Sequence, residues 1–260
     1  MPSRSQPVTV ITGAGGGLGR ALTRAFAAEG ARLALLDISP SFERAQTLAA
    51  KLNVETSVLR CDLRSERQIR SAFEDIRKRW GQINVLINNA GVEGPTKSAD
   101  KISLNEWEET LRVNLTGAFL CAREAIPLMR REGGCIIQIG SVAGRVAYKL
   151  RLPYAVSKAA LEALTRGLAG EFGRYGIRAN LVAPGPIVGP RMERIIRKRA
   201  RATGRSEEVI REGYLRGSAL GTMVDPQDVA RAVLFLCSPV GAHISGACLE
   251  VSAAWQSTAF

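Results

Sequence analysis

Histidine is almost absent from this 260-residue sequence, which contains only His243. One histidine and five cysteines without paired spacing do not compose a zinc site, and they give no support to a serine–histidine–aspartate triad. Several of the cysteines lie in apolar strand or helix patterns, where buried thiols are common. We therefore expect reduced packing residues at positions 61, 121, 135, 237 and 248.

Long apolar runs are missing as well. No stretch approaches the length of a membrane-spanning helix, and no internal repeat or low-complexity linker divides the chain. The first strand pattern begins so early, at Val8, that a signal peptide does not fit before it. With 46% hydrophobic residues, the composition is ordinary for one globular domain. We expect a cytoplasmic protein whose residues 1–260 form a single domain.

Aromatic residues are also few, at 5%, whereas the formal net charge is +12. Such a charge raises the hypothesis of a nucleic-acid or acidic-protein partner. No motif with interleaved aromatic residues accompanies the charge, so nucleic acid is a minor alternative. Part of the excess lies in one segment, whose basic residues are Arg191, Arg194, Arg197, Lys198, Arg199, Arg201 and Arg205.

A glycine-rich turn follows the first strand pattern. Residues 8–11 are apolar and β-branched, and residues 18–29 carry apolar side chains at helical spacing, which predicts strand, turn and helix. Glycines permit positive φ and let backbone N–H groups approach a pyrophosphate, which the positive end of a helix also attracts. The spacing is not G-x-G-x-x-G, and such a turn can equally be a tight connection. Its residues are Gly13, Gly15, Gly16, Gly17, Leu18 and Gly19.

Asp37 ends the second strand pattern, eighteen residues after Gly19. This is close to the offset expected for the acid that binds an adenosine ribose. A carboxylate there accepts hydrogen bonds from the ribose hydroxyls and repels a 2′-phosphate, and the turn at 13–19 contains no arginine or lysine. The position favours NAD over NADP. The competing interpretation is that Asp37 only caps the next helix.

Tyr154 and Lys158 are four residues apart in an Ala- and Leu-rich segment that starts with proline, so they should share one helical face. Making a tyrosine a base near neutral pH requires about 4 kcal/mol of phenolate stabilisation, part of which an adjacent ammonium supplies. Ser141 follows an apolar strand pattern, which places its hydroxyl where α/β proteins bind ligands. A lone Tyr-x-x-x-Lys is usually an exposed helix pair, so the combination carries the prediction.

Strand patterns alternate with helical patterns along the whole chain. This order predicts an α/β fold, a Rossmann-like doubly wound parallel sheet of about seven strands with helices on both faces. The strands are expected near 8–12, 32–36, 54–60, 83–88, 134–140, 177–183 and 246–251.

Across nearly its full length the chain resembles a classical short-chain dehydrogenase/reductase (SDR). The order of motifs carries the resemblance, from the turn at Thr12 to Gly19 onward. The other matching segments are Asp37, Asp62-Leu63, Asn88-Asn89-Ala90-Gly91, Val113-Asn114-Leu115, Ser141, Tyr154-Ala155-Val156-Ser157-Lys158, Pro184-Gly185 and Asp225-Pro226-Gln227-Asp228-Val229-Ala230.

The resemblance implies an NAD-dependent oxidoreductase that transfers hydride between nicotinamide and a secondary alcohol or ketone. Tyr154 would be the general acid/base, Lys158 would bind the nicotinamide ribose and lower the tyrosine pKa, and Ser141 would orient the substrate oxygen. Asn114 would hold a water in a proton relay, or would only bond backbone inside a helix. The alternative function is a catalytically silent NAD-binding sensor or scaffold.

The resemblance also implies binding residues. Asp62 would meet the adenine amine and Asn88 would line the adenosine side, whereas Thr12 and Asn89 would tie neighbouring turns together. The implied cofactor-binding residues are Gly13, Gly15, Gly16, Gly17, Leu18, Gly19, Asp37, Ile38, Asp62, Leu63, Asn89, Ala90, Gly91, Tyr154, Lys158, Pro184, Gly185 and Ile187. The implied substrate-binding residues are Ser141, Ala143, Tyr148, Tyr154, Val188 and Met192, in a wall that also includes Val92, Glu93, Gly94 and Val142.

The substrate itself stays open among hydroxy acids, polyols, cyclic or steroid alcohols and hydroxyacyl thioesters. In the family, the region at about 189–217 covers the substrate, so the basic segment is either a lid that attracts an anionic substrate or a solvated helix face, the commoner case. Glu93 and Arg145 either read polar substituents or point to solvent. The direction of the reaction is open too.

The sequence departs from the family pattern at two places, and it also carries a prediction about the oligomeric state. Gly189 replaces the family's usual threonine near the nicotinamide amide, and residues 251–255 replace its usual Asp-Gly-Gly. Two long helix patterns, 105–131 and 153–173, correspond to family interfaces and predict a homotetramer or dimer, unless these faces only pack on the sheet.

Overall fold

A parallel sheet of seven strands organises the part of the chain that the structure, a computed structural model, describes, namely residues 6–38 and 40–256. The strands are β1 (Val8–Thr12), β2 (Arg32–Asp37), β3 (Thr56–Arg60), β4 (Val85–Asn88), β5 (Gly134–Ile139), β6 (Ile177–Pro184) and β7 (Cys248–Val251). Their order in the sheet is β3-β2-β1-β4-β5-β6-β7. The predicted doubly wound sheet is confirmed.

Helices cover both faces of this sheet. They are α1 (Gly17–Ala28), α2 (Ser41–Ala49), α3 (Glu66–Trp80), α4 (Leu104–Leu111), α5 (Gly117–Met129), α6 (Leu152–Phe172), α7 (Pro190–Thr203), α8 (Glu207–Arg216) and α9 (Pro226–Cys237). None of the helices in the described residues is long and apolar enough to cross a membrane.

Two hydrophobic cores lie on opposite faces of the sheet. One packs α3 and α5 through side chains such as Phe73 and Cys121, and the other packs α1 and α9 through Leu22 and Val233. The central strands are covered from both sides, so every residue of β1 and β4 is buried, including the polar Thr9, Thr12 and Asn88. Burial on both faces fixes the strands rigidly and therefore fixes the loops at their ends.

The sheet reverses its winding between β1 and β4, which are direct neighbours. At such a switch point the loops leaving the two strands diverge to opposite faces and open a crevice at the carboxyl ends. The glycine turn follows β1 and the Asn88 to Gly91 segment follows β4, so both motifs reach the same crevice.

The first of the two predicted long helices is interrupted. A π-helical turn, Arg112–Thr116, separates α4 from α5, and Asn114 lies within it. Such turns insert an extra residue into a helix and are frequent at functional sites. The second predicted helix is continuous as α6.

The turn after β7 contains two strained residues. Ala253 and Ala254 adopt φ angles of 54° and 52°, the left-handed region in which a Cβ is unfavourable. Both residues lie in the segment 251–255, which the sequence analysis noted as a departure from the expected pattern. The turn brings Trp255 against Gly217, where even a Cβ atom would lie 2.6 Å from the indole nitrogen.

Ala253→Gly should therefore stabilise the protein. Relief of the left-handed strain exceeds the entropy that glycine adds to the unfolded chain, so the free energy of unfolding should rise by about 1 kcal/mol. Urea unfolding measures the change. Ala50→Gly is the matched control, because Ala50 is exposed with φ of −61° and its replacement should lower stability. Equal effects of the two substitutions would contradict the assignment of strain.

Candidate active site

A cleft of about 680 Å³ lies at the carboxyl ends of the strands. The eighteen implied cofactor-binding residues and the six implied substrate-binding residues line it. Glu93 and Gly94, expected in the substrate wall, Asn88, expected on the adenosine side, and the catalytic candidate Asn114 do not line it. Residues that the sequence analysis did not assign to the site also line it, among them Arg44, Arg151, Tyr214 and Trp255.

The glycine turn is packed against its neighbours at three positions. A Cβ on Gly15 would lie 1.8 Å from the backbone oxygen of Ser41, and one on Gly19 would lie 2.1 Å from the oxygen of Gly13. Gly13 has φ of 65° and touches the backbone of Ala90. Gly17 meets nothing, and α1 begins there without a side-chain cap. The first turn of α1 therefore offers its N–H groups to the cleft, as an anion such as a pyrophosphate requires.

Asp37 is tied to this turn. Its Oδ2 accepts a hydrogen bond from the Gly15 N–H at 2.7 Å, and its Oδ1 accepts one from Ile38 at 2.8 Å. Burial raises the pKa of the Asp37 carboxyl, although these bonds and Arg44 act in the other direction. Helix α2 starts beyond it with Pro40 as N-cap, so the interpretation of Asp37 as a helix cap is wrong.

Arg44 lies on the same side of the cleft. Its Nε donates to the Gly15 oxygen at 3.2 Å and its Nη2 to the Ser41 hydroxyl at 2.6 Å. The sequence analysis found no arginine or lysine within the glycine turn. Arg44 instead reaches Asp37 from α2, the helix after β2. Asp37 and Arg44 thus lie together beside the glycine turn.

Asp62 is engaged by a neighbour. Its carboxylate accepts bonds from Arg64, the shortest at 2.7 Å, and this pairing lowers the pKa of Asp62. Arg64 also pairs with Glu109 at 3.4 Å. A hydrogen bond from an adenine amine to Asp62 would therefore share the carboxylate with Arg64.

Thr12 and Asn89 join the loops after β1 and β4. The Thr12 hydroxyl accepts hydrogen bonds from the N–H groups of Asn89 and Ala90, both at 3.0 Å. In return Asn89 donates to the backbone oxygens of Thr12 and Gly13. Asn88, expected on the adenosine side, is instead buried, and its Nδ2 donates to the Ala118 oxygen in α5. The alternating sides of a strand account for the difference between the two asparagines.

Tyr154 and Lys158 share one face of α6, with the ammonium 5.8 Å from the centre of the phenol ring. Lys158 is buried, and its Nζ donates to the Ile139 oxygen at 2.7 Å. That oxygen belongs to the end of β5, directly before the loop that carries Ser141. The strand end and the helix thus hold the three side chains at one place.

Electrostatics favour the phenolate. Burial alone raises the pKa of Tyr154, but the charges of Lys158, Arg191 and Arg151, with a hydrogen bond from Ser141, outweigh it and bring the pKa below its ordinary value. Burial lowers the pKa of Lys158. The arrangement can accept a proton from an alcohol, or return one to a carbonyl, closer to neutral pH than a free tyrosine could.

Asn114 lies behind the cleft and positions the loop after β4. Its Oδ1 accepts from the Val92 N–H at 2.8 Å, and its Nδ2 donates to the Val92 oxygen and to the Ser157 hydroxyl. The side chain is 1% exposed. The sequence analysis left two roles open for Asn114, holding a water in a proton relay or bonding backbone inside a helix. Its side chain bonds the backbone of Val92, as the second role expects.

Two arginines stand beside Tyr154. Arg151 precedes α6, is 2% exposed, and places its guanidinium carbon 5.0 Å from the centre of the Tyr154 ring. Arg191, in the first turn of α7, donates from Nη1 to the Gly91 oxygen at 3.0 Å and lines the cleft. In the sequence, the spacing of three residues between Arg151 and Tyr154 is the feature that could have indicated their contact.

Glu93 and Arg145 do not read substrate groups from this cleft. Glu93 is buried, and its carboxylate accepts bonds from Lys198 at 2.8 Å and Arg194 at 3.2 Å. Arg145 pairs with Glu250 and Glu162. Arg145 is exposed, as the solvent alternative expects, whereas Glu93 is buried. Glu93 instead fastens α7, the basic helix, to the loop after β4.

The far end of the cleft is aromatic. Trp255 stacks on Tyr214 with ring centres 6.1 Å apart, and its Nε1 donates a hydrogen bond to the backbone oxygen of Tyr214. The hydroxyls of Tyr214 and Tyr148 are 2.9 Å apart, and burial keeps the pKa of Tyr148 well above its usual value. Met192 packs in the same cluster. This end of the cleft therefore combines the aromatic rings of Trp255 and Tyr214 with the paired hydroxyls of Tyr148 and Tyr214.

Gly189 explains one departure from the family pattern. Its φ is 132° as it leads into α7, a conformation that L side chains rarely adopt. A threonine at this position would strain the backbone.

Comparisons with known proteins agree with this geometry. Residues 13–253 match the family described as Enoyl-(Acyl carrier protein) reductase. The chain is 32% identical to L-fucose dehydrogenase of Bos taurus over 89% of this chain and 83% of that protein. It is 30% identical to levodione reductase of Leifsonia aquatica over 97% and 95%. The crystal structure of NAD⁺-bound xylitol dehydrogenase superposes with a TM-score of 0.89 at 27% identity, covering 94% of this chain and 97% of that one.

Proposed function

Because the chain belongs to the short-chain dehydrogenase/reductase family of oxidoreductases, we propose that it is an NAD-dependent dehydrogenase of secondary alcohols, or a ketone reductase in reverse. One observation carries the proposal. Tyr154, with its pKa lowered by Lys158, lies in a cleft that begins at a glycine turn, where the first N–H groups of α1 have no side-chain cap.

Bound NAD would supply the hydride acceptor, the C4 carbon of its nicotinamide ring. In oxidation, the Tyr154 phenolate takes the hydroxyl proton while the C–H electron pair leaves as hydride, so the alcohol becomes a carbonyl. Ser141 hydrogen-bonds the reacting oxygen, and Lys158 keeps the phenolate charged. In reduction, the Tyr154 hydroxyl returns the proton to the new alkoxide oxygen.

The residues present fit the dinucleotide. The turn is closed by backbone at Gly13, Gly15 and Gly19 and open at Gly17, which leaves room for phosphate oxygens beside the N–H groups of α1. Asp37 would take the ribose hydroxyls of adenosine. Lys158 would take those of the nicotinamide ribose.

The relatives support the substrate class. Their names describe a dehydrogenase of L-fucose and a reductase of levodione, and the solved xylitol dehydrogenase holds NAD⁺. Alcohol or ketone groups on small polar molecules are common to these names. We infer the same reacting group for this chain.

A turnover panel tests the function. The protein is assayed for NADH formation with alcohols, polyols, sugars and hydroxy acids, with NAD and NADP in parallel. Turnover of one class with NAD is the expected result. Silence across the panel in protein that binds NAD by calorimetry would favour the sensor alternative and overturn the proposal.

Asp37→Ala should relax the choice of cofactor. The substitution removes the acceptor for ribose hydroxyls and the repulsion of a 2′-phosphate, while Arg44 remains nearby to pair with that phosphate. The ratio of kcat/KM for NADP to that for NAD should rise by about tenfold or more.

Asp37→Asn is the matched variant, since it keeps an oxygen for the Gly15 N–H and removes only the charge. A rise in the ratio in both variants assigns the effect to charge. An unchanged ratio in both would remove Asp37 from the ribose site.

The assembly is proposed as a homotetramer. Apolar side chains on the outer surface support it, among them Phe119 of α5 and Leu152 of α6, each 44% exposed. Symmetric pairing of these helices would cover such surface, and a monomeric mass in light scattering would contradict it.

A further inference from the structure

We propose that the substrate carries a carboxylate beside the reacting alcohol, and that Arg191, with Arg151 behind it, binds this carboxylate. The substrate would then be a short hydroxy acid, or the corresponding oxo acid in reduction. The inference rests on the proposed function and names the substrate class of that same site.

Arg151 is a buried cation with capacity left for a ligand. Its Nε and Nη2 both donate to the Glu93 backbone oxygen, at 3.1 and 2.7 Å. Within the described part of the chain, its Nη1 makes no hydrogen bond, and the residue lines the cleft beside Tyr154. A carbonyl oxygen does not neutralise a guanidinium charge, so a charge of opposite sign nearby is favourable.

Arg191 supplies an accessible cation at the same place. Its guanidinium donates to the Gly91 oxygen at 3.0 Å. Its charge adds to burial in lowering the pKa of Lys158, and it adds to the charge of Lys158 in lowering the pKa of Tyr154 against the effect of burial. The residue lies at the N-terminus of α7, whose partial positive charge adds to it.

Three other basic residues of α7 are engaged elsewhere, and Arg197 and Arg201 are exposed on its outer face. Arg194 and Lys198 bind Glu93, and Arg199 is buried with its guanidinium 5.4 Å from the centre of the Tyr148 ring. The basic segment is therefore divided: part of it pairs with Glu93 or packs on Tyr148, and Arg197, Arg201 and Arg205 are exposed to solvent. One arginine of α7, Arg191, is directed to the reacting tyrosine.

Acidic groups do not balance this charge. Among the described residues, the carboxylates that line the cleft are Asp37, Asp62 and Glu109. Asp37 is bound at the glycine turn, and the other two are paired with Arg64 at the adenosine end. The tyrosine end thus presents Lys158, Arg151 and Arg191, an arrangement that favours an anionic ligand.

A rival role for Arg191 is contact with the pyrophosphate of the cofactor. The two roles differ in what a substitution changes. A pyrophosphate contact would show in the affinity for NAD, whereas a substrate contact would show in the choice between charged and uncharged substrates.

The test measures binding without turnover. Calorimetry gives the dissociation constants of acetoacetate and of its neutral amide, acetoacetamide, on protein saturated with NAD⁺, in which neither probe can be reduced. We expect acetoacetate to bind about tenfold more tightly or better. Arg191→Gln should remove most of this preference. Arg201→Gln is the control, because Arg201 is an exposed arginine near the other end of α7 and should leave the preference intact.

Each outcome decides the inference. A preference lost in Arg191→Gln and kept in Arg201→Gln supports it. Equal affinity of the two probes, no binding of either, or a preference that survives in Arg191→Gln overturns it. So does a loss of NAD⁺ affinity in Arg191→Gln with the preference unchanged, which would assign the residue to the pyrophosphate. Failure of the unaltered protein to bind NAD⁺ would instead refute the proposed function.

Discussion

Tyr154→Phe should lower kcat for alcohol oxidation by about a thousandfold, the largest loss expected from a single substitution here. The variant keeps the ring that packs 5.0 Å from the Arg151 guanidinium and loses only the oxygen that handles the proton. The affinity for NAD should stay within about twofold, because the glycine turn and Asp37 are untouched.

Steady-state kinetics and calorimetric NAD binding on the same preparation measure the two effects. Tyr175→Phe is the matched control, since Tyr175 lies next to Phe172 at the end of α6 and outside the cleft. Its turnover should equal that of the unaltered protein. Retained turnover in Tyr154→Phe would remove the tyrosine from the proton transfer.

Lys158→Met should reduce kcat/KM by about a hundredfold near neutral pH and change its pH dependence. Oxidation requires the phenolate, so the rate rises with pH until Tyr154 is deprotonated. Lys158 holds the pKa of Tyr154 down. Without this ammonium the pKa rises, and the rising limb of the profile must move to higher pH.

The readout is therefore the complete profile of kcat/KM against pH. The loss should diminish as pH increases, because alkaline solvent deprotonates the phenol without help. Lys149→Met, an exposed lysine near α6, provides a control with an unchanged profile. A loss of the same size at every pH would show that Lys158 does not act through the tyrosine pKa.

Much of the fold follows from local pattern. The seven strands lie where apolar runs predicted them, because strands buried on both faces need continuous apolar residues. The Tyr154 and Lys158 pair follows from helical spacing alone. Ser141 follows from its position just after a strand, since parallel strands end at a common edge.

The remaining site residues depend on contacts that cross the fold. Trp255 follows the last strand, and no local pattern shows that it packs on Tyr214. Glu93 and α7 are far apart in the chain. Their ion pairs depend on the packing of α7 against the loop after β4, which no local sequence pattern predicts. The φ of 132° at Gly189 also depends on how the chain enters α7, which the local sequence does not show.

The two arginines beside Tyr154 share an unusual kind of support. Arg151 is held by the main-chain oxygen of Glu93 and Arg191 by that of Gly91, both in one loop after β4. Every residue type has this oxygen, so neither anchor is itself a contact with a side chain of residues 91–93, although the Glu93 carboxylate also holds α7. An insertion or deletion in the same loop would displace both charges together. Changes of substrate among descendants of this protein are therefore expected to follow the length of this loop more closely than its composition.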